Sequence, residues 1–213
     1  VISDAAQSFG GMIGKKRVGA LAPITATSFY PTKPLGGVGD GGAIFTNDNE
    51  LAETVRQLRS HGTQGSGDVA IRLGMTGRLD TVQAAALLVK LEAFDERLAA
   101  CRHIAARYQQ ALAGVVRTPH TPDRFSSACA LYTIRVANRD AVRAQLAQSG
   151  IDTGVYYRVP LHRHPAFAGW LTGEEELATS EQLADEVLSL PLHPGLTEAD
   201  VDHVIAAVLG VVR

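Results

Sequence analysis

The chain has 213 residues, 46% hydrophobic and 20% charged, enough apolar content to bury the core of one or two globular domains. Lys and Arg number 20 against 22 Asp and Glu, a formal net charge of −2, and no basic run approaches the stretch of about five to eight residues expected of a nucleic-acid or polybasic membrane contact. No apolar run reaches the roughly eighteen residues of a membrane span, and no charged and then apolar leader opens the sequence, so small molecules are the expected partners and the cytoplasm the expected location.

The opening "VISDAAQ" reads as the end of a buried strand running into a functional turn, and its start at Val1 leads us to expect a further segment upstream. A glycine-punctuated stretch follows, and "ITATSF" (residues 24–29) has the β-branched and aromatic content of a strand. The loop "TSFYPTKPLGGVGDGG" comes next and sets Lys33 between two prolines. "GGAIFTND" predicts a short strand, and residues 47–49 supply N-cap chemistry for a helix with Leu51, Val55 and Leu58 on one face and Gly62 as C-cap. Residues 65–77 read as irregular and polar. "RLDTVQAAALLVKLEAFDERLAACRHIAARYQQAL" then carries apolar residues at helical spacing with no proline, predicting one long helix or two nearly continuous ones, with Val82, Ala86, Val89, Ile104 and Tyr108 in its register. Pro119 and Pro122 mark a break, after which "CALYTIRV" predicts a strand, "DAVRAQLAQSG" a helix, "DTGVYY" a strand, and two more helical stretches end near Val212. The domain boundary falls near residue 112: residues 1–112 form an α/β domain with its long linking helix, and residues 113–213 a smaller α+β unit. Cys101 and Cys129 lie in apolar surroundings without a CxxC pair and read as buried or incidental thiols of a reducing compartment.

Among only four lysines, Lys15, Lys16 and Lys90 sit where a solvated surface charge is natural, whereas Lys33 follows a strand end, where α/β folds place ligand sites. A lysine held at a pocket can lose its proton and attack a carbonyl to form a Schiff base; the plain alternative is a surface lysine in a turn. "GVGDGG" formally fits the dinucleotide pattern GxGxxG, but a strand-like segment follows where a helix should open, so the glycines are expected to serve tight turning and close approach. Ser28 stands five residues before Lys33, near enough to offer its hydroxyl to an anion. Asp4 ends a strand with Gln7 three residues on, and a buried carboxylate there would keep a heteroaromatic nitrogen protonated, as a pyridoxal phosphate ring requires. His162 and His164 lack the further ligands a metal site needs and read as ordinary loop histidines.

Five ordered motifs, "DAAQSFG", "TSFYPTKPLGGVGDGGAIFTND", "GRLDTVQAAALLVKL", "VYYRVPLHRHPAF" and "LSLPLHPGLTEADVDHVI", resemble the DegT/DnrJ/EryC1/StrS sugar aminotransferases, which are fold-type I pyridoxal phosphate (PLP) enzymes. The wording of the second and third is most similar to members that aminate the 3-keto position of a UDP-linked 2-acetamido-2-deoxy-glucuronic acid. The resemblance implies an α/β fold, the C-terminal part of a fold-type I transferase, with an incomplete large α/β domain and a small α+β domain. It implies that Lys33 is the Schiff-base lysine, that Asp4 pairs with the pyridine nitrogen, that Gln7 lies near the ring and its hydroxyl, and that Ser28 binds the phosphate. It further implies glutamate as amino donor, a nucleotide-linked keto sugar as acceptor, and a homodimer. Arg78 is a candidate substrate or interface residue, and Asp80 with Gln83 reads equally well as a helix cap. Tyr157 and His162 resemble residues near the sugar site, although an aromatic and proline loop serves packing just as readily. Thr76 stands where the family often carries an asparagine. Two other readings remain open at this level: a dehydratase of the same family, which would carry histidine in place of Lys33, and a non-catalytic fragment whose long helix mediates dimerisation.

Overall fold

The computed structural model describes residues 1–65, 67–170 and 177–212, so Ser66, within the span expected to be irregular, lies outside the described residues. The chain divides into two compact units, one of residues 1–99 and 121–130, the other of residues 100–120 and 131–213.

In the first unit, strand β1 (Ile2–Asp4) leads through two short strands, β2 (Met12–Ile13) and β3 (Lys16–Arg17), into β4 (Ile24–Ser28) and β5 (Gly42–Phe45). β4 is the middle of a three-stranded sheet, parallel to β1 and antiparallel to β5, with Asp4 opposite Ala26 and Ala26 opposite Ile44. Alternation decides the faces: Thr25 and Thr27 are buried, while Ala26 and its neighbours Asp4 and Ile44 are exposed. The expected buried strand at the start is therefore corrected, since Ile2 is 74% exposed. β1 lies at the edge of the sheet, with Ile2 and Asp4 exposed on one face.

Helix α1 (Asn49–Leu58) starts where the cap chemistry placed it, with Asp48 accepting from the Leu51 N–H at 3.0 Å. Gly62 is not its C-cap. That position is Arg59, and Gly62 at φ +74° donates its N–H to Gln57 O at 2.8 Å. A Cβ at Gly62 would lie 1.8 Å from Arg72 O, so the crossing of two backbone segments requires glycine there. Two short paired strands, β6 (Thr63–Gln64) and β7 (Val69–Ala70), follow.

The long helical stretch is two helices, α2 (Thr81–Glu92) and α3 (Phe94–Leu112), broken only at Ala93. The expected register is corrected in α2: Val82 and Val89 are 75% and 69% exposed, and the buried face carries Leu87, continued by Phe94 and Leu98 in α3. α2 has apolar residues on nearly every side, so spacing alone could not choose among its faces. Leu87, Phe94 and Leu98 pack with Phe29 and Leu35, and Phe9 stacks against Phe45 and Phe94 at centroid distances of 5.6 and 5.5 Å. A short strand, β8 (Phe125–Ser126), returns to pair with β2.

In the second unit, Ile104 and Tyr108 of α3 are buried as the helical spacing implied, and Leu112 is buried with them. β9 (Tyr132–Arg135) is followed by α4 (Arg139–Gln148), α5 (Ala178–Glu186), β10 (Val187–Leu190) and α6 (Glu198–Val211). β9 and β10 form an antiparallel pair whose Ile134 and Leu188 are fully buried. β10 emerges directly from α5, a strand that helical patterning did not suggest. The expected strand at "DTGVYY" is reduced to one bridge, Gly154 with Ser189, beyond which Tyr156 and Tyr157 are exposed. α6 opens on a capping box in which Thr197 and Asp200 satisfy each other's backbone N–H groups. Among the described residues no helix is long and apolar enough to cross a membrane.

Two outcomes follow from the second core. Ile134→Ala should cost about 2–5 kcal/mol in equilibrium urea unfolding, because the fully buried side chain leaves a void that its core neighbours fill only in part. Tyr108 and Tyr132, whose rings lie 5.2 Å apart, are both pushed from 10.0 to about 12, chiefly by burial. Their protonated form is favoured by folding, so the stability they contribute is complete below the ordinary value and lost as pH rises from 10.0 towards about 12. Alkaline absorbance titration should show two of the five tyrosines ionising late, together with unfolding.

Candidate functional site

The strand β4 ends at Ser28, and the next residue holds both ends of the loop that carries Lys33. Phe29 O accepts the Gly37 N–H at 2.7 Å, and the Phe29 N–H donates to Gly41 O at 2.7 Å. Within the loop the Lys33 N–H donates to Tyr30 O at 2.9 Å, closing a turn that Pro31 preorganises. Leu35 is buried beside the Phe29 ring. A Cβ at Gly36 would lie 2.3 Å from Pro31 O, so this close backbone approach excludes any larger residue. The glycine run opens into strand β5 and no helix, in agreement with the rejection of a dinucleotide fingerprint.

Lys33 itself is half-buried, and its amine has no hydrogen-bond or ion-pair partner among the described residues. Ser28 is half-buried, and its Oγ accepts the Tyr30 N–H at 3.2 Å. Asp4 is exposed here, contrary to the expected buried carboxylate, and its Oδ1 accepts the Ala6 N–H at 2.9 Å. Because Asp4 stands opposite Ala26, and Ser28 is two residues further along β4, the pleat places Asp4 and Ser28 on the same face of the sheet. Gln7 is exposed in the turn after β1, where the Ser8 and Phe9 N–H groups both reach Ala5 O.

Two residues on α2 that sequence reasoning did not select reach this loop. Lys90, expected to be a solvated surface lysine, is half-buried and donates to Gly36 O at 2.7 Å and Gly37 O at 3.4 Å. Gln83, read with Asp80 as a helix cap, instead accepts the Val38 N–H on Oε1 at 2.9 Å, and Asp80 at the N-cap makes no side-chain capping bond. The contacts span 45 to 54 residues, so no local pattern announced them; the one legible signal is that Gln83 and Lys90 share a helix face.

Arg78 is exposed and donates to His61 Nε2 at 3.2 Å. Tyr157 and His162 belong to the second unit. Tyr157 is exposed with its ring edge-on to Tyr156 at 5.5 Å, and His162 pairs through Nε2 with Glu181 at 3.1 Å. Hydrogen bonds from His162 and then Arg163 hold the Glu181 carboxyl below its ordinary value. Among the described residues, no three His, Cys, Asp or Glu side chains are placed to share a metal ion.

The sequence pattern of the DegT/DnrJ/EryC1/StrS aminotransferase family matches residues 1–209. A Pseudomonas aeruginosa UDP-2-acetamido-2-deoxy-3-oxo-D-glucuronate aminotransferase is 45% identical over 208 residues, 97% of this chain and 57% of its own length. A Streptomyces venezuelae dTDP-3-amino-3,4,6-trideoxy-alpha-D-glucose transaminase is 40% identical over 210 residues, 98% of this chain and 55% of its own. The crystal structure of S. venezuelae DesV in complex with a ketimine intermediate superposes with a TM-score of 0.95 at 39% identity, covering 100% of this chain and 57% of that one. The chain thus spans somewhat more than half the length of the relatives it matches.

Gly36→Ala should destabilise the first unit by about 1–3 kcal/mol in chemical denaturation, since neither Pro31 O nor the turn can yield. Gly210→Ala, in the last turn of α6 with open space around it, should stabilise by about 0.4–1 kcal/mol in the same assay.

Proposed function

Because the chain belongs to the DegT/DnrJ/EryC1/StrS aminotransferase family, whose members use PLP, we propose that Lys33 serves PLP-dependent transfer of an amino group to the keto group of a nucleotide-linked sugar. The observation that carries this reading is an amine without a partner among the described residues, on a loop whose backbone is tied down at both ends. That arrangement fits the cofactor's aldehyde: the backbone is fixed, and the amine is not committed elsewhere. Asp4 and Ser28, on one face of the sheet, fit its ring nitrogen and its phosphate. When bound, PLP supplies an electron sink that makes a proton on the adjoining carbon removable.

The chain's own groups would then act as follows. The Asp4 carboxylate would hold a proton on the pyridine nitrogen, Ser28 Oγ would donate to the phosphate, and Gln7 would lie near the ring and its hydroxyl. Lys33 Nζ would take a proton from the α-carbon of the donor, glutamate, and would return one to the acceptor's carbon. The apolar packing of Phe29 and Leu35 holds the base of the loop in place for this exchange.

The relative at 45% identity favours C3 of UDP-2-acetamido-2-deoxy-3-oxo-glucuronate as the acceptor. The proposal extends to the making of a surface polysaccharide or related glycan, and takes Arg78, Tyr157 and His162 as candidate substrate residues. The enzyme is read as a cytoplasmic homodimer. The exposed apolar residues Val82, Leu88 and Val89 of α2, with Leu73 and Met75 before it, supply a surface that a second copy would cover.

In the full-length protein, Lys33→Ala should abolish turnover while circular dichroism stays native, and borohydride reduction in the presence of PLP should no longer label the peptide containing residue 33. Turnover retained in a clean preparation would refute the assignment.

A further inference from the structure

Helix α2 presents one stripe to the lysine loop. Gln83, Leu87 and Lys90 follow one another at helical spacing, the outer two about two turns apart, or roughly 10 Å at 1.5 Å per residue. Leu87 is buried against Phe29 and Leu35, so the apolar centre of the stripe holds the loop's base. The polar ends hold its backbone: Gln83 Oε1 accepts the Val38 N–H, and Lys90 Nζ donates to Gly36 O and Gly37 O.

Lys90 makes no ion pair among the described residues, and its hydrogen-bond partners there are these two carbonyls. A half-buried ammonium is costly without hydrogen-bonding partners, and no carboxylate offsets that cost here. The loop is shaped to receive Gln83. A Cβ at Gly37 would come within 2.7 Å of Gln83 Oε1, and one at Gly39 within 2.5 Å of its Nε2. Lys33 lies three residues before Gly36, its own backbone N–H held by Tyr30 O. Everything around the lysine is therefore fastened except the side chain.

We propose that Gln83 and Lys90 are positioning residues for Lys33: they fix the backbone from Gly36 to Val38, so that the lysine amine returns to one place each time it is displaced. This rests on the reading of Lys33 as the cofactor-bound lysine. A residue that only supported the fold would change stability and nothing else. A positioning residue changes the chemistry of the nitrogen it aims.

The test uses the full-length protein loaded with PLP. Lys90→Met keeps the length of the side chain and removes its donors; Gln83→Leu removes the acceptor and strands the Val38 N–H. Lys90→Arg and Gln83→Glu restore a donor and an acceptor. Both disabling variants should lower kcat roughly tenfold to a hundredfold with KM for the sugar nearly unchanged. The pH titration of the absorbance of the lysine-bound cofactor should move by about half a unit or more. The conservative variants should recover most of both effects. Wild-type kcat and a wild-type pH titration in both disabling variants, with only the melting temperature lowered, would overturn the proposal; should Lys90→Met fail to fold, Gln83→Leu decides by the same readouts. Failure of the underlying reading is seen separately, in unsubstituted protein that takes no borohydride-reduced label at Lys33.

Discussion

The position of the lysine loop depends on Phe29. Its carbonyl and its N–H close the two ends of the loop, and its ring lies in the core cluster with Leu35, Leu87, Phe94 and Leu98. Phe9 meets that ring edge-on at 6.4 Å and stacks on Phe45, so an aromatic group ties the loop to the last strand of the sheet. Each backbone hydrogen bond is worth only about 1 kcal/mol net, but in a closed loop each also removes freedom from every residue it encloses. The accuracy with which Lys33 is presented is thus a property of core packing, and the loop inherits the rigidity of the residues beneath it.

Electrostatics plays a smaller part. Arg17 and Asp95 form a bidentate pair at 2.9 and 3.0 Å, but both are well exposed, and such pairs contribute little. The pairs of Arg107 with Glu198 and Asp202 lie at the surface of the second unit, over a core that already includes Tyr108, Val201 and Val208. Arg139 is the exception. It is buried, and its guanidinium donates to Ala184 O, Val187 O and Asp140, so it satisfies carbonyls where α5 passes into β10. Both units thus set a long cation against backbone carbonyls, Lys90 beneath the glycine loop and Arg139 at the end of α5.

Much of this was legible in the sequence wherever a local rule applied. β-branched and aromatic content marked β4, Asp48 lay within the stretch read as the N-cap of α1, and helical spacing without proline announced α2 and α3. Lys33 stood out because it followed a strand end between two prolines. Local rules failed where the deciding partner was remote. The buried face of α2 is chosen by Phe29 and Leu35, dozens of residues away, and Lys90 looked like any surface lysine until two loop carbonyls were brought to it. "DTGVYY" had strand composition, yet within it only Gly154 forms a bridge, to Ser189 of β10. Asp4 was read as ending a buried strand, whereas both it and Ile2 are exposed.

The backbone crossing at Gly62 limits how this stretch can vary. A Cβ at Gly62 would meet Arg72 O at 1.8 Å, and one at Gly74 would meet Gly62 N at 2.1 Å. Each glycine thus leaves the space through which the other's segment passes. A change at one is not rescued by a change at the other, since both would crowd the same gap.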